Sequence, residues 1–153
     1  MKPTRPIASL ILDLRGRKVM MDADLAAIYG VETRALNQAV KRNRERFPGD
    51  FVFPLSAAEK EKVITNCDHL AHLRFAKSLP LAFTEHGAIM AATVLNSPQA
   101  VAMSVYVVRA FIGMREQLAA NTVILKRLAE IDRTLLRVPD TMKRACVASQ
   151  NCR

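Results

Sequence analysis

The sequence predicts an α+β domain: an N-terminal β-hairpin, a helix-turn-helix-like pair, a small wing-like sheet and a helical C-terminal half. Three observations carry that prediction. Two aliphatic stretches flank Arg15-Gly16-Arg17 near the N-terminus. Residues 22–47, DADLAAIYGVETRALNQAVKRNRERF, divide into two helical stripes around Gly30. From Thr84 onward, apolar residues recur at the three-and-four spacing of helices.

Each element has a local reason. Residues 10–14 and 18–21 form the two arms of a hairpin, with Gly16 supplying the backbone freedom of a tight reversal. Periodicity alone leaves a single buried helix as the alternative for this stretch. Asp22 is expected to cap the first helix. Its buried stripe is Leu25, Ala26 and Tyr29, and Gly30 ends it in the left-handed conformation that glycine tolerates. The second helix is expected over residues 32–46, with Leu36, Ala39, Val40 and Asn43 facing inward or along its edge, before Phe47-Pro48-Gly49 stops it. Phe51-Val52-Phe53 is a short strand where a wing would sit.

Ser56 and Glu59 have capping-box spacing for a helix through about residue 66. Residues 67–78 read as loop, with a possible strand at 74–76. A strand over 79–83 contains Pro80 and is therefore placed at a sheet edge. Thr84 caps a helix that breaks at Asn96, and Ser97-Pro98 restarts one in cap-then-proline order. This helix is expected to run to about residue 120 and to be centrally buried through Val101, Val105, Val108, Phe111 and Ile112. A separate helix follows over 122–136. There Ile124, Leu128, Ile131 and Leu135 repeat at four, three and four, a narrow seam suited to a homodimer contact. Beyond Pro139 no helical stripe remains.

At 153 residues and half apolar, the chain has enough material for one domain with a core and is too apolar for wholesale disorder. Its net charge of +9 calls for an acidic partner, nucleic acid before an anionic membrane surface. The charge is +4 over residues 1–60, zero over 61–108 and +5 over 109–153, so the two ends carry the field. Cys67, Cys146 and Cys152 form no paired framework, which suits a reducing compartment. Lys2 and Arg5 precede only a short apolar run, closed by Asp13, and no window approaches a membrane span. A cytoplasmic location is expected.

The candidate functional residues lie on the second helix. Thr33, Arg34, Asn37, Gln38 and Lys41 fall opposite its buried stripe, and side chains of these types read base edges or hold phosphates. Arg34, Asn37 and Gln38 are the base-reading candidates, because Arg matches guanine and Asn or Gln matches adenine bidentately. Lys41, Arg42, Arg44 and Arg46 are candidate phosphate contacts, and Arg15, Arg17 and Lys18 at the hairpin tip are weaker ones. The competing reading is an ordinary helix pair with a solvated basic face. Cys67, His69 and His72 are close in sequence, but a structural zinc site needs four ligands and only the distant His86 remains. Glu85 and His86 have no nucleophile, phosphate loop or carboxylate cluster beside them. No enzyme, metal or cofactor is expected.

Several blocks then coincide in order and spacing. LRGRKVMMDADLAAIYGV, RFPGDF, AFTEHG and VVRAFIGMRE together resemble the ORF-six N-terminal domain family of phage and prophage proteins, related to the KilA-N DNA-binding domains. The resemblance covers roughly residues 7–118. It implies a role in phage or prophage DNA transactions or regulation, in a bacterial or phage-infected cell, without catalysis. With the periodicity reading beyond it, the expected division is a DNA-binding domain at 1–118, an amphipathic helix at 119–138 with a possible dimer contact, and a frayed basic tail at 139–153, which departs from the charged helical continuation usual in the family. The expected function is duplex DNA binding, with the second helix in the major groove. An antirepressor-like protein-binding module is the alternative. Single-strand or RNA binding is disfavoured by the low aromatic content.

Overall fold

The structure is a computed structural model, and it describes residues 5–137. The chain divides into two compact units, one ending at Met114 and one beginning at Arg115. The first is α+β, as the sequence predicts.

Strands β1 (Ile11–Leu14) and β2 (Arg17–Met21) form the predicted hairpin, pairing Ile11 with Met20 and Leu14 with Arg17. Its two loop residues, Arg15 and Gly16, have φ of 53° and 73°. Positive φ at both central positions is the type I′ requirement, the turn whose twist matches the flanking strands. Helices α1 (Asp22–Tyr29) and α2 (Thr33–Arg42) follow. Then come β3 (Val52–Pro54), α3 (Ala57–Asn66), β4 (Leu81–Phe83), α4 (Glu85–Leu95) and α5 (Pro98–Arg137).

The sheet is one antiparallel unit of order β1-β2-β4-β3, not a hairpin beside a separate wing. Contrary to expectation, β4 is interior, pairing with β2 on one side and β3 on the other. Pro80 lies just before the strand, where its missing N–H costs no ladder bond, and its carbonyl accepts from Leu55 N at 3.0 Å. The edges are β1 and β3, and β3 is blunted. Val52 N is engaged by Pro48 O, and Pro54 has no N–H to offer.

Side-chain alternation divides the core across the sheet. Met20, Val52 and Phe83 pack with α1, α2, α4 and the start of α5 around Leu25, Tyr29, Leu36, Val107 and Phe111. Val19, Met21, Phe53 and Ala82 face the other way, onto Val63 and Ile64 of α3 and onto Leu70 and Leu73. The two-sided burial explains why residues 19–21 are uninterruptedly apolar.

Residues 68–75, expected as loop or strand, form a 3-10 helix that buries Leu70 and Leu73 beneath the sheet. The predicted break near residue 120 is absent: α5 is one continuous helix over Pro98–Arg137. Nor is it buried all round. Ala100, Val107 and Phe111 are in the core, whereas Val101, Val105 and Ile112 are exposed. The remaining caps agree with the sequence. Ser56 and Glu59 form the full capping box, Thr84 Oγ1 accepts from Gly87 N, and Asn96 closes α4 in the left-handed region.

Candidate nucleic-acid interface

The α1–α2 turn is built by Gly30. At φ 70° it lets Val31 N donate to Ala26 O at 3.0 Å and Gly30 N donate to Ala27 O at 3.3 Å, the paired bonds of a Schellman ending. Gln99 of α5 lies over this glycine, so that a Cβ there would meet its carboxamide at 2.5 Å. Tyr29 anchors α1 from below, its hydroxyl donating to Ala88 O of α4 at 2.8 Å. Burial pushes the Tyr29 phenol well above its ordinary range, so it stays a donor.

Asp22 is not the expected N-cap: that position is Met21, and no side chain caps it. Asp22 is 3 % exposed, and α1 begins on it rather than after it. Its Oδ1 accepts from Ala23 N at 2.8 Å, while Oδ2 accepts from Asn37 Nδ2 at 3.0 Å and from Leu81 N at 3.2 Å. One carboxylate thereby ties α1 to α2 and to β4. This corrects the expected placement of Asn37. It is half-buried, its amide is committed to Asp22, and its Oδ1 is buried. Asn37 positions α2 rather than standing on its open face, and Thr33 at the helix start is also half-buried.

The open face of α2 is narrower than expected. Arg34, Gln38, Lys41 and Arg42 are exposed and stand at i, i+4, i+7 and i+8, one stripe along the helix. The helix ends at Arg42, earlier than predicted. Asn43 breaks it at φ −118°, its Nδ2 donating back to Ala39 O at 2.9 Å. Arg44 and Arg46 therefore project from a following 3-10 turn, and both are exposed. Among the described residues, none of Arg34, Lys41, Arg42, Arg44 or Arg46 is ion-paired.

The hairpin-tip cations are placed differently. Arg15 grips Glu59 bidentately, Nη2 to Oε1 at 2.7 Å and Nε to Oε2 at 3.0 Å, and lies 4.5 Å over the Phe53 ring. That guanidinium, with the Ser56 amide, pulls the Glu59 carboxyl down to about 2. Arg17 donates to Asp50 O at 3.3 Å, and Lys18 pairs with Asp13 across the hairpin. All three have intramolecular partners, whereas the α2 cations have no ion pair among the described residues.

A groove of about 610 Å³ opens beside the end of α2. Val40, Phe47, Val52, Phe53 and Leu81 line it with apolar surface, and Lys41 and Arg44 add two cations. No local sequence signal marks it, because its walls come from α2, the 3-10 turn, β3 and β4.

The histidines have structural surroundings. His69 Nε2 lies 3.1 Å from Asp24 Oδ2, its Nδ1 is 3.4 Å from Arg5, and His72 Nδ1 is 3.1 Å from His69 O. Burial raises the Asp24 carboxyl despite the His69 contact. Partial burial likewise raises the Cys67 thiol, away from nucleophilic character. His86 stacks on Phe51 at 5.4 Å. Among the described residues, no group of three or more His, Cys, Asp or Glu side chains is arranged to hold a metal, and no helix is long and apolar enough to cross a membrane.

Fold and site together define an α+β domain that displays one cationic helix, held at its root by a buried aspartate. The ORF6N domain profile matches residues 9–94, more than half of the chain, and the protein belongs to that family. Membership is consistent with a phage-type regulatory or DNA-binding protein. No curated protein and no solved structure matches the chain.

Proposed function

We propose that the protein binds duplex DNA as a phage- or prophage-derived regulator in the bacterial cytoplasm, with α2 lying in the major groove. Arg34 and Gln38 address base edges, and Lys41, Arg42, Arg44 and Arg46 neutralise phosphates on either side. The observation that carries this reading is the row of exposed α2 cations without ion-pair partners among the described residues. Cations already paired in the chain, such as Arg15, gain less from a phosphate because their own partner must first be released. Asn37 supports reading indirectly, by fixing the rotation of α2 through Asp22. A homodimer through Ile124, Leu128, Ile131 and Leu135 would let one assembly address two half-sites. The domain has no catalytic role in this account.

A second reading, capture of an acidic segment of another regulator, is favoured by the groove at Val40, Phe47, Val52, Phe53 and Leu81, with Lys41 and Arg44 beside it. Fluorescence anisotropy with duplex pools at low salt separates the two. The DNA reading expects binding, and expects Arg34→Ala with Gln38→Ala to cost about 1–3 kcal/mol on a selected site while non-specific affinity persists. Absence of duplex binding at low salt transfers the function to the groove.

A further inference from the structure

The second unit carries a wide apolar face that is exposed among the described residues. Leu118, Ile124, Leu125, Leu128, Ile131 and Leu135 are each more than half exposed, on the uninterrupted helix α5. A helix with such a face gains most of its stability by packing it. In heptad terms, taking Leu128 and Leu135 as position a places Ile124 and Ile131 at d and Leu118 and Leu125 at e. Apolar residues thus occupy positions a, d and e, with Asn121 at a and Asp132 at e as the exceptions, a face that extends beyond the two-position seam of a two-stranded coil. The side-chain shapes point the same way, because leucine at a with isoleucine at d shifts parallel coils from two strands to higher order.

Charge supplies the orientation. In this lettering Arg127 is at g and Asp132 at e, five residues apart. In a parallel, in-register coil each g residue meets the e residue five positions further along its neighbour. Both side chains are exposed, and neither is ion-paired among the described residues. An antiparallel arrangement centred on the same residues sets g against g and e against e, like charge against like. Asn121 falls at an a position, where a polar residue fixes register at some cost in stability.

The geometry points to a parallel, in-register, four-stranded coil of this chain over residues 118–135, fastened by Arg127 of one copy and Asp132 of the next. It rests on reading the seam as a self-association surface and carries that reading from two strands to four. The partner is a further copy of the same chain.

Sedimentation equilibrium of the full chain tests it, with three variants at exposed positions. The wild type is expected at about four times the 17.0 kDa chain mass. Exchanging Leu128 and Leu135 for isoleucine and Ile124 and Ile131 for leucine keeps the apolar content and is expected to give a dimer. Arg127→Asp is expected to weaken assembly on the order of tenfold, since several exposed pairs are lost together. Adding Asp132→Arg to it is expected to restore assembly. A wild-type dimer overturns the four-stranded arrangement while leaving self-association standing. A strict monomer overturns both. Unchanged or tighter assembly of Arg127→Asp overturns the parallel orientation.

Discussion

At the scale of single residues, the site rests on side chains that do not touch a ligand. Asn37 and Asp22 are fifteen positions apart, and the third partner, Leu81 N, is further still. Helical periodicity sorted α2 into two faces but gave no means of finding Asp22, so Asn37 looked as open as Gln38. The stability of variants makes the distinction measurable. Asn37→Ala removes a hydrogen bond to a buried carboxylate and is expected to destabilise the fold by about 1.5–3 kcal/mol in urea titration. Arg34→Ala and Gln38→Ala, on the exposed stripe, are expected to stay within about 0.5 kcal/mol of wild type. Equal losses at all three positions would put Asn37 back on the open face.

Arg15 and Glu59 give a pH signature at the same scale. Glu59 is held at about 2, below its ordinary 4.5, by the Arg15 hydrogen bonds first and the Ser56 amide next. A carboxyl lowered in the folded state contributes stability that is complete above about pH 4.5 and is lost as pH falls toward about 2. Asp24 is raised and has the opposite sign, so the useful quantity is the difference between wild type and Arg15→Ala. That difference in unfolding midpoint is expected to shrink as pH drops through this window. The Arg15–Phe53 contact does not titrate there and should leave a constant remainder. A difference that holds steady would show that the bridge contributes nothing.

At the scale of elements, the capped helices were legible because their signals are local. Ser56 with Glu59, Thr84 ahead of α4 and Ser97-Pro98 ahead of α5 each carry their start within four residues. What escaped depended on distant partners. The central place of β4 comes from β2 and β3 closing on both sides of a three-residue strand, and a nearby proline suggested an edge. Residues 68–75 carry no clear helical period, and their burial depends on the sheet face above Leu70 and Leu73. The AFTEHG block was visible as a motif, and the structure shows its physical basis. Thr84 N donates to Phe51 O at 2.9 Å, and a Cβ on Gly87 would lie 2.2 Å from that same oxygen. Both atoms are held by backbone, so Gly87→Ala is expected to cost about 1–3 kcal/mol by overpacking, read as a lower midpoint in thermal unfolding. A variant as stable as wild type would mean that β3 and α4 separate freely.

At the scale of the whole molecule, sequence reasoning reached the class of fold and the charged helix, but not the partition of the core. Residues 18–21 read as a strand from the sequence, yet only the assembled sheet shows Met20 facing α1 and α4 while Val19 and Met21 face α3. The basic balance was evident from composition. Which cations are available was not, since pairing with Glu59, Asp50 and Asp13 occupies the hairpin and leaves α2 with the open ones. The partition between engaged and available cations is the physical content of the proposed interface.

The most direct test is the salt dependence of duplex binding, compared between wild type and a variant with Lys41, Arg42, Arg44 and Arg46 replaced by alanine. Four phosphate contacts, from Lys41, Arg42, Arg44 and Arg46, predict a slope of log binding constant on log salt of about −3 to −4, because each neutralised phosphate releases counterions. The variant should lose most of that slope, because all four phosphate contacts are removed and Arg34 addresses a base edge. A wild type that does not bind duplex at low salt, or a variant with an unchanged slope, would contradict the assignment of α2 as the DNA-contacting element.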